Sequence, residues 1–141
     1  MPLEEVKRCL ANDQFAKLAG IELLTVTPGA ATARMPLQPH HWNALNTVQG
    51  GAIFTLADFT FAAACNSHGT VAVALNASIT FMKAATTGTL VAEAREISKN
   101  FKVGAYVVEV KDDRGELIAT FQGLAYRKQD RLPGIEGKYK G

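Results

Sequence analysis

One carboxylate, Asp58, interrupts the apolar stretch from Gly51 to Cys65 (GAIFTLADFTFAAAC), and it is the only charged residue there. On a helix its neighbours one turn away would be Phe54, Thr55, Phe61 and Ala62, none of them a cation. Such an acid either faces water or is kept for chemistry, as a base or a nucleophile. Phenyl neighbours disfavour the charged form, which raises the pKa of Asp58 and makes it a stronger base than a free aspartate. Just upstream, the same segment opens on the pair Gly50-Gly51. The leading N–H groups of a helix have no intrahelical acceptor, and the helix dipole favours negative charge beside them. Glycines there carry no Cβ to hold a carbonyl away from the backbone. From Gly50 to Asp58 the axial rise is about 12 Å, too far for both to act on one atom within one chain.

The elements that must position these groups follow from the pattern. Residues 3–19 place Leu3, Val6, Leu10, Phe15 and Leu18 at mostly helical spacing, with a break at Asn12-Asp13 and a stop at Gly20. Residues 21–35 predict a hairpin around Pro28-Gly29, and 36–42, with two prolines and two histidines, a loop. Gly50 to about His68 predicts the one long helix, buried on most sides, with Gly69 as its stop. Strands follow at 70–82, 89–98, 106–111 and 117–127, joined in order by short turns, with Asn100 to Gly104 as a loop or bulged connection. The tail 129–141 is polar, holds Pro133 and three glycines, and is expected to fray. The expected fold class is therefore α+β: one domain over residues 1–141, with a long helix wrapped by five to six antiparallel strands.

Composition narrows the classes. The chain has 141 residues, 48% hydrophobic and 20% charged, which suits one packed core. A net charge of +2 with scattered Lys and Arg gives no basic run for nucleic acid. Cys9 and Cys65 fit no disulfide framework or zinc spacing. The pair His40-His41 is adjacent on a loop with no carboxylate or cysteine at ligand spacing, so no metal is expected. No apolar run approaches the roughly 18 residues that span a bilayer, and the N-terminus lacks a leader pattern, so a cytoplasmic location is expected.

The ordered set Asn43, Gly50-Gly51 and Asp58, followed by Ala-rich helix, Cys65-Asn66-Ser67-His68-Gly69 and Ile79-Thr80-Phe81, resembles the hotdog-fold acyl-CoA thioesterases, in particular the phenylacetate-pathway type. The resemblance spans roughly residues 15–128 and implies the hydrolysis of an acyl-CoA thioester to a free acid and coenzyme A. It implies no cofactor beyond the coenzyme A of the substrate. In this fold two chains pair with their helices running in opposite directions, so that Asp58 of one faces Gly50 of the other. A homodimer is the minimum, and pairing of dimers into a homotetramer is expected. By resemblance, the Gly50 N–H is the oxyanion donor with Gly51 beside it, and Asp58 is the base or nucleophile. Asn43 holds the water or the Asp58 carboxylate, and Lys83 meets a coenzyme A phosphate. Three positions depart from the family pattern: Gln49 stands for its His, Asn46 for its Gly, and Ala74 for its Ser or Thr. Gln49 can contact the substrate but cannot titrate. Asn76, Ser78 and Thr80, at period two from Ala74, are the substitutes for the missing hydroxyl. A non-catalytic acyl-CoA binding module is the alternative. A hotdog hydratase is the weaker one, because its Asp-to-His spacing of five meets Ala63.

Overall fold

The computed structural model describes residues 3–133. Two short helices lead, α1 (Leu3–Leu10) and α2 (Gln14–Ala19), broken where the sequence predicts. Asp13 caps α2 by accepting the Ala16 N–H at 2.9 Å, and Gly20 closes it in the left-handed region, φ +80°. The hairpin β1 (Glu22–Thr27) and β2 (Ala30–Pro36) follows, then a 3₁₀ turn at Pro39–His41 and the long helix α3 (Gly50–Cys65). The remaining strands are β3 (Thr70–Phe81), β4 (Thr89–Lys99), β5 (Val103–Lys111) and β6 (Leu117–Arg131).

The six strands form one antiparallel sheet in the order β1-β2-β4-β5-β6-β3. Strands joined in sequence are therefore not always neighbours, contrary to the expectation of a simple succession. β3 lies at the far edge beyond β6, and the 82–88 segment crosses over to reach β4. The crossing segment is pinned to the loop before α3 by Val48 N–H to Ala85 O and Leu37 N–H to Gly88 O, both 2.9 Å.

α3 lies across one face of the sheet and buries Ile53, Leu56, Ala57, Thr60, Phe61 and Ala64 there. Each large apolar side chain so buried contributes about 1.5–3 kcal/mol. The opposing strand positions are small: Ala31 and Ala33 on β2, Ala92 and Ala94 on β4, Ala119 and Ala125 on β6. Gly123 is the extreme case, since a Cβ there would sit 2.6 Å from the Phe61 ring. Small residues on the sheet let a helix bearing phenylalanines approach closely.

α3 stops at Cys65, one turn short of the expected end near His68. Asn66 ends it: its side-chain amide donates to Ala62 O at 2.8 Å and to Ala72 O at 3.2 Å, and its oxygen accepts the Ala72 N–H at 2.8 Å. One side chain thus joins the last turn of α3 to the start of β3. His68 lies 2.9 Å from Glu96, which also accepts the Tyr106 hydroxyl at 2.7 Å. Burial pushes the Glu96 carboxyl up, but the hydrogen bonds from His68 and Tyr106 hold it below its ordinary value.

Two boundaries also move. β5 begins at Val103, because Asn100 Oδ1 accepts both the Lys102 and Val103 N–H groups and tightens the turn. β6 runs on to Arg131, paired with Thr70, and Leu132 is buried, so the first part of the expected fraying tail is ordered sheet. The rest of that tail, 134–141, lies outside the described residues.

Candidate active site

The start of α3 is built by the loop before it. Gln49 N–H donates to His41 O at 2.8 Å, and Trp42 bridges to Val48, which fixes the entry of the chain into the helix. Trp42 is half-buried against the core. Asn43 organises the intervening turn: its Oδ1 accepts from Leu45 N–H at 2.8 Å and Thr47 N–H at 3.2 Å, and its Nδ2 donates to Thr47 Oγ1 at 2.9 Å. Within one chain, then, the Asn43 side chain is engaged in its own loop. Asn46 adopts φ +61°, the left-handed region that Gly enters freely and Asn more readily than most residues. That conformation accommodates the departure at this position.

Gln49 occupies the N-cap of α3 without making a side-chain capping bond. Its Oε1 instead lies over Gly51, where an added Cβ would come within 2.5 Å of it. The Gly50 and Gly51 N–H groups find no acceptor among the described residues. Gly50 is in turn covered by the Phe81 ring, 3.0 Å from where a Cβ would be. Two free amides at a helix start, with no side chain in the way, suit an oxyanion.

Gly51, Thr55, Asp58 and Ala62, none of them fully buried, form one stripe of α3 at helical spacing. The stripe answers why an acid stands in an apolar helix, since Asp58 lies on the one face the sheet does not cover. Its carboxylate has neither a hydrogen-bond donor nor a cation among the described residues. Burial raises its pKa, and the negative charge of Asp13 at the α2 N-cap raises it further.

Asn caps a helix about as well as Asp, so Asp13→Asn keeps α2 while deleting the repelling charge. Asp58 then ionises more easily, and the acid limb of the pH profile of kcat/KM should move to lower pH. The shift is the smaller part of the total because burial, the main cause, is untouched. An acid limb that stays in place would show that Asp58 does not set it.

Other candidate residues are placed elsewhere. β3 carries a bulge between Ala74 and Asn76, which reverses the alternation of faces. Ala74 pairs with the buried Ala125 on the helix side, whereas Asn76, Ser78 and Thr80 pair with Leu124, Gln122 and Thr120 on the outer face. Asn76 and Ser78 thus do not share the face of Ala74, and within one chain they point away from α3. Lys83 forms an exposed ion pair with Glu116. No group of three or more His, Cys, Asp or Glu able to hold a metal occurs among the described residues. A feature that the sequence reading passed over is an apolar groove of about 390 Å³ beside Gly51, walled in part by Phe15 and Leu18 of α2. The exposed i, i+3 pair of large apolar residues on a short helix was its only signal.

Residues 45–119, which include both helix-start glycines and Asp58, match the thioesterase superfamily. The chain belongs to that superfamily. A candidate esterase of Archaeoglobus fulgidus is 43% identical over 123 residues, covering 86% of this chain and 80% of that protein. The acyl-coenzyme A thioesterase PaaI of Escherichia coli is 34% identical over 124 residues, covering 87% and 89%. The solved structure of the E. coli PaaI protein, 31% identical, superposes with a TM-score of 0.87 over 91% of this chain and 94% of that one. Human acyl-coenzyme A thioesterase 13 is 29% identical, covering 73% and 76%. The superfamily member described here is thus a PaaI-like thioester hydrolase, and its helix wrapped by a six-stranded antiparallel sheet is the hotdog fold. No helix among its described residues is long and apolar enough to cross a membrane.

Proposed function

We propose that this superfamily member hydrolyses acyl-coenzyme A thioesters at a site shared by two protomers. The Gly50 N–H of one protomer, with Gly51 beside it, polarises the thioester carbonyl, and Asp58 of the other activates the attacking water or attacks directly. The observation that carries the reading is a pairing of unmet needs: acceptor-free amides at one end of α3, and an unpartnered, half-buried carboxylate on its open stripe. The rise along α3, about 12 Å, keeps them apart within one chain, and an antiparallel partner helix brings them together. β3 supports such pairing, being an edge strand of twelve residues with Val73, Leu75 and Phe81 exposed. An unpaired edge of that length invites another strand. Named relatives, PaaI and acyl-coenzyme A thioesterase 13, support coenzyme A as the leaving thiol. Asn43 serves by shaping the loop that presents Gln49 and the glycines, and Gln49 lies where it can donate to the substrate.

Complementation between damaged protomers tests the shared site. Asp58→Asn and Gly50→Pro chains are each expected to be nearly inactive alone. Co-refolded in equal amounts, half of the dimers are mixed, and each mixed dimer has one intact site of two. About a quarter of wild-type thiol release should return. A mixture as dead as its components would place the two groups in separate sites and refute the arrangement. Tight binding of acyl-coenzyme A by wild type with no thiol released would favour the binding module instead.

A further inference from the structure

The turn between β4 and β5, Lys99-Asn100-Phe101-Lys102, stands at the end of α3 opposite Gly50. Glu96, three residues before it, is held by His68 just past that end of the helix. Phe101 is 68% exposed, and Ile97, near the end of β4, 57%. Tyr126 pairs with Val103 on one side and Val73 on the other, and both Tyr126 and Val73 are exposed, so the apolar surface continues across the ends of β6 and β3.

The turn is tightly bonded. Asn100 N–H donates to Val103 O at 2.9 Å, and Asn100 Oδ1 accepts the Lys102 and Val103 N–H groups. Its carbonyls are covered from β6. Arg127 Nη1 donates to Asn100 O at 2.7 Å, Gln129 Nε2 donates to Phe101 O, and the Arg127 N–H donates to Lys102 O at 2.7 Å. Gln129 adopts φ +73° in making that reach, a conformation uncommon outside glycine. Phe101 is thus held out by a turn whose carbonyls are already met. A loop can enter an apolar medium on that condition, because unpaired backbone groups are costly there.

The surrounding charge is one-sided. Segments 96–102 and 126–131, which these bonds bring together, carry Lys99, Lys102, Arg127, Lys128 and Arg131 against Glu96 and Asp130, a net of +3. The whole chain is +2, so the remainder sums to −1. Glu96 is engaged by His68 and Tyr106. A rigid aromatic tip between two lysines complements a surface that is anionic outside and apolar just beneath, which is the boundary of a bilayer holding anionic lipid. An anionic polymer in water would satisfy the cations and leave the Phe101 ring in solvent.

We propose that the β4–β5 tip is a peripheral membrane contact: Phe101, backed by Ile97, enters the headgroup boundary of an anionic bilayer while Lys99, Lys102 and Arg127 meet its phosphates. Such a contact lies on the membrane without crossing it, so it needs no long apolar run. It stands independently of the hydrolytic reading.

Sucrose-loaded vesicles test it with the full chain. Vesicles of equimolar phosphatidylglycerol and phosphatidylcholine should pellet wild type, and phosphatidylcholine alone should not. Lys99→Gln combined with Lys102→Gln should weaken binding roughly 25-fold, since each cation near an anionic surface is worth about fivefold. Phe101→Ser should weaken it roughly tenfold, the low end for withdrawing a phenyl ring from an apolar phase. These side chains are exposed and distant from Gly50, so the melting temperature and thiol release without vesicles should stay at wild-type values in both variants. A wild type that stays in solution with anionic vesicles, or pellets equally with both kinds, overturns the proposal. So does a Phe101→Ser chain that binds as wild type does, which would leave a general polyanion site. A changed oligomeric state of Phe101→Ser by sedimentation would overturn it by making the ring a subunit contact. Displacement from vesicles by coenzyme A at constant ionic strength would overturn it by assigning the cations to the substrate. A wild type that pellets as expected but releases no thiol from any ester would sink the hydrolytic reading and uphold this one.

Discussion

Asp58→Asn is expected to lower kcat by roughly 10²–10⁴-fold while KM changes little, the range typical for loss of a positioned base. Asn keeps the size of the side chain and its place on the open stripe of α3, so the cleft and the amides at the helix start remain. What disappears is the lone pair that takes the proton of water or attacks the carbonyl. The same substitution should raise the melting temperature near neutral pH. The folded-state pKa of Asp58 lies above its unfolded value, because burial and then Asp13 disfavour the ionised form. A raised acid of this kind adds stability only while protonated; its contribution is complete below the unfolded pKa and is lost as pH rises through the folded one. At pH 7 the ionised Asp58 therefore weighs against folding, and Asn removes that burden. The gain should shrink toward acid pH, where wild-type Asp58 is protonated too. Thermal denaturation at several pH values beside thiol-release kinetics checks both halves. A variant with wild-type turnover would remove Asp58 from the chemistry; one that loses turnover because it unfolds would show the opposite change in melting temperature.

Gly50→Pro should lower kcat by about 10²–10³-fold, the usual consequence of deleting one oxyanion donor. Proline is disruptive inside a helix, but at the first helical position it removes only an N–H that has no helical acceptor. Gly50 is that position, and its N–H has no acceptor among the described residues. The preceding residue must be extended before a proline, and Gln49 already is, with φ −64° and ψ 136°. The ring must displace Phe81, which sits 3.0 Å from the Cβ position but is half-exposed at the end of β3 and can yield. Gly50→Ala is the control, since it meets the same ring yet keeps the N–H. Turnover close to wild type in the alanine variant and lost in the proline variant would assign the effect to the amide; equal losses would assign it to crowding against Phe81.

Much of this arrangement was legible in the residues. The apolar run from Gly51 to Cys65 with one acid demanded a buried helix with one open face, and that face carries Asp58. Alternation and turn residues placed all six strands. What escaped was whatever depends on partners distant in sequence. The bulge at Leu75 leaves no mark in a run of β-branched and small residues, yet it decides that Asn76 and Ser78 face outward. The exposed ion pair of Lys83 with Glu116 joins residues thirty-three positions apart, which no local pattern announces. The end of α3 was misjudged because alanine, cysteine and asparagine do not announce a stop; only the Asn66 bonds to Ala72 across the following turn reveal one. Strand order was likewise hidden, since nothing local says that β3 will choose β6 over β4.

The two borders of the sheet are unequal. β1 is six residues long and interrupted at Leu24, which discourages any further chain from adding there. β3 is twice that length and presents its free side in the open. A sheet with one sealed border and one receptive border can grow only once: when two copies meet β3 to β3 about a two-fold axis, the receptive borders are consumed and closed growth replaces polymerisation. The lopsided edge design thus favours a finite particle over a fibre.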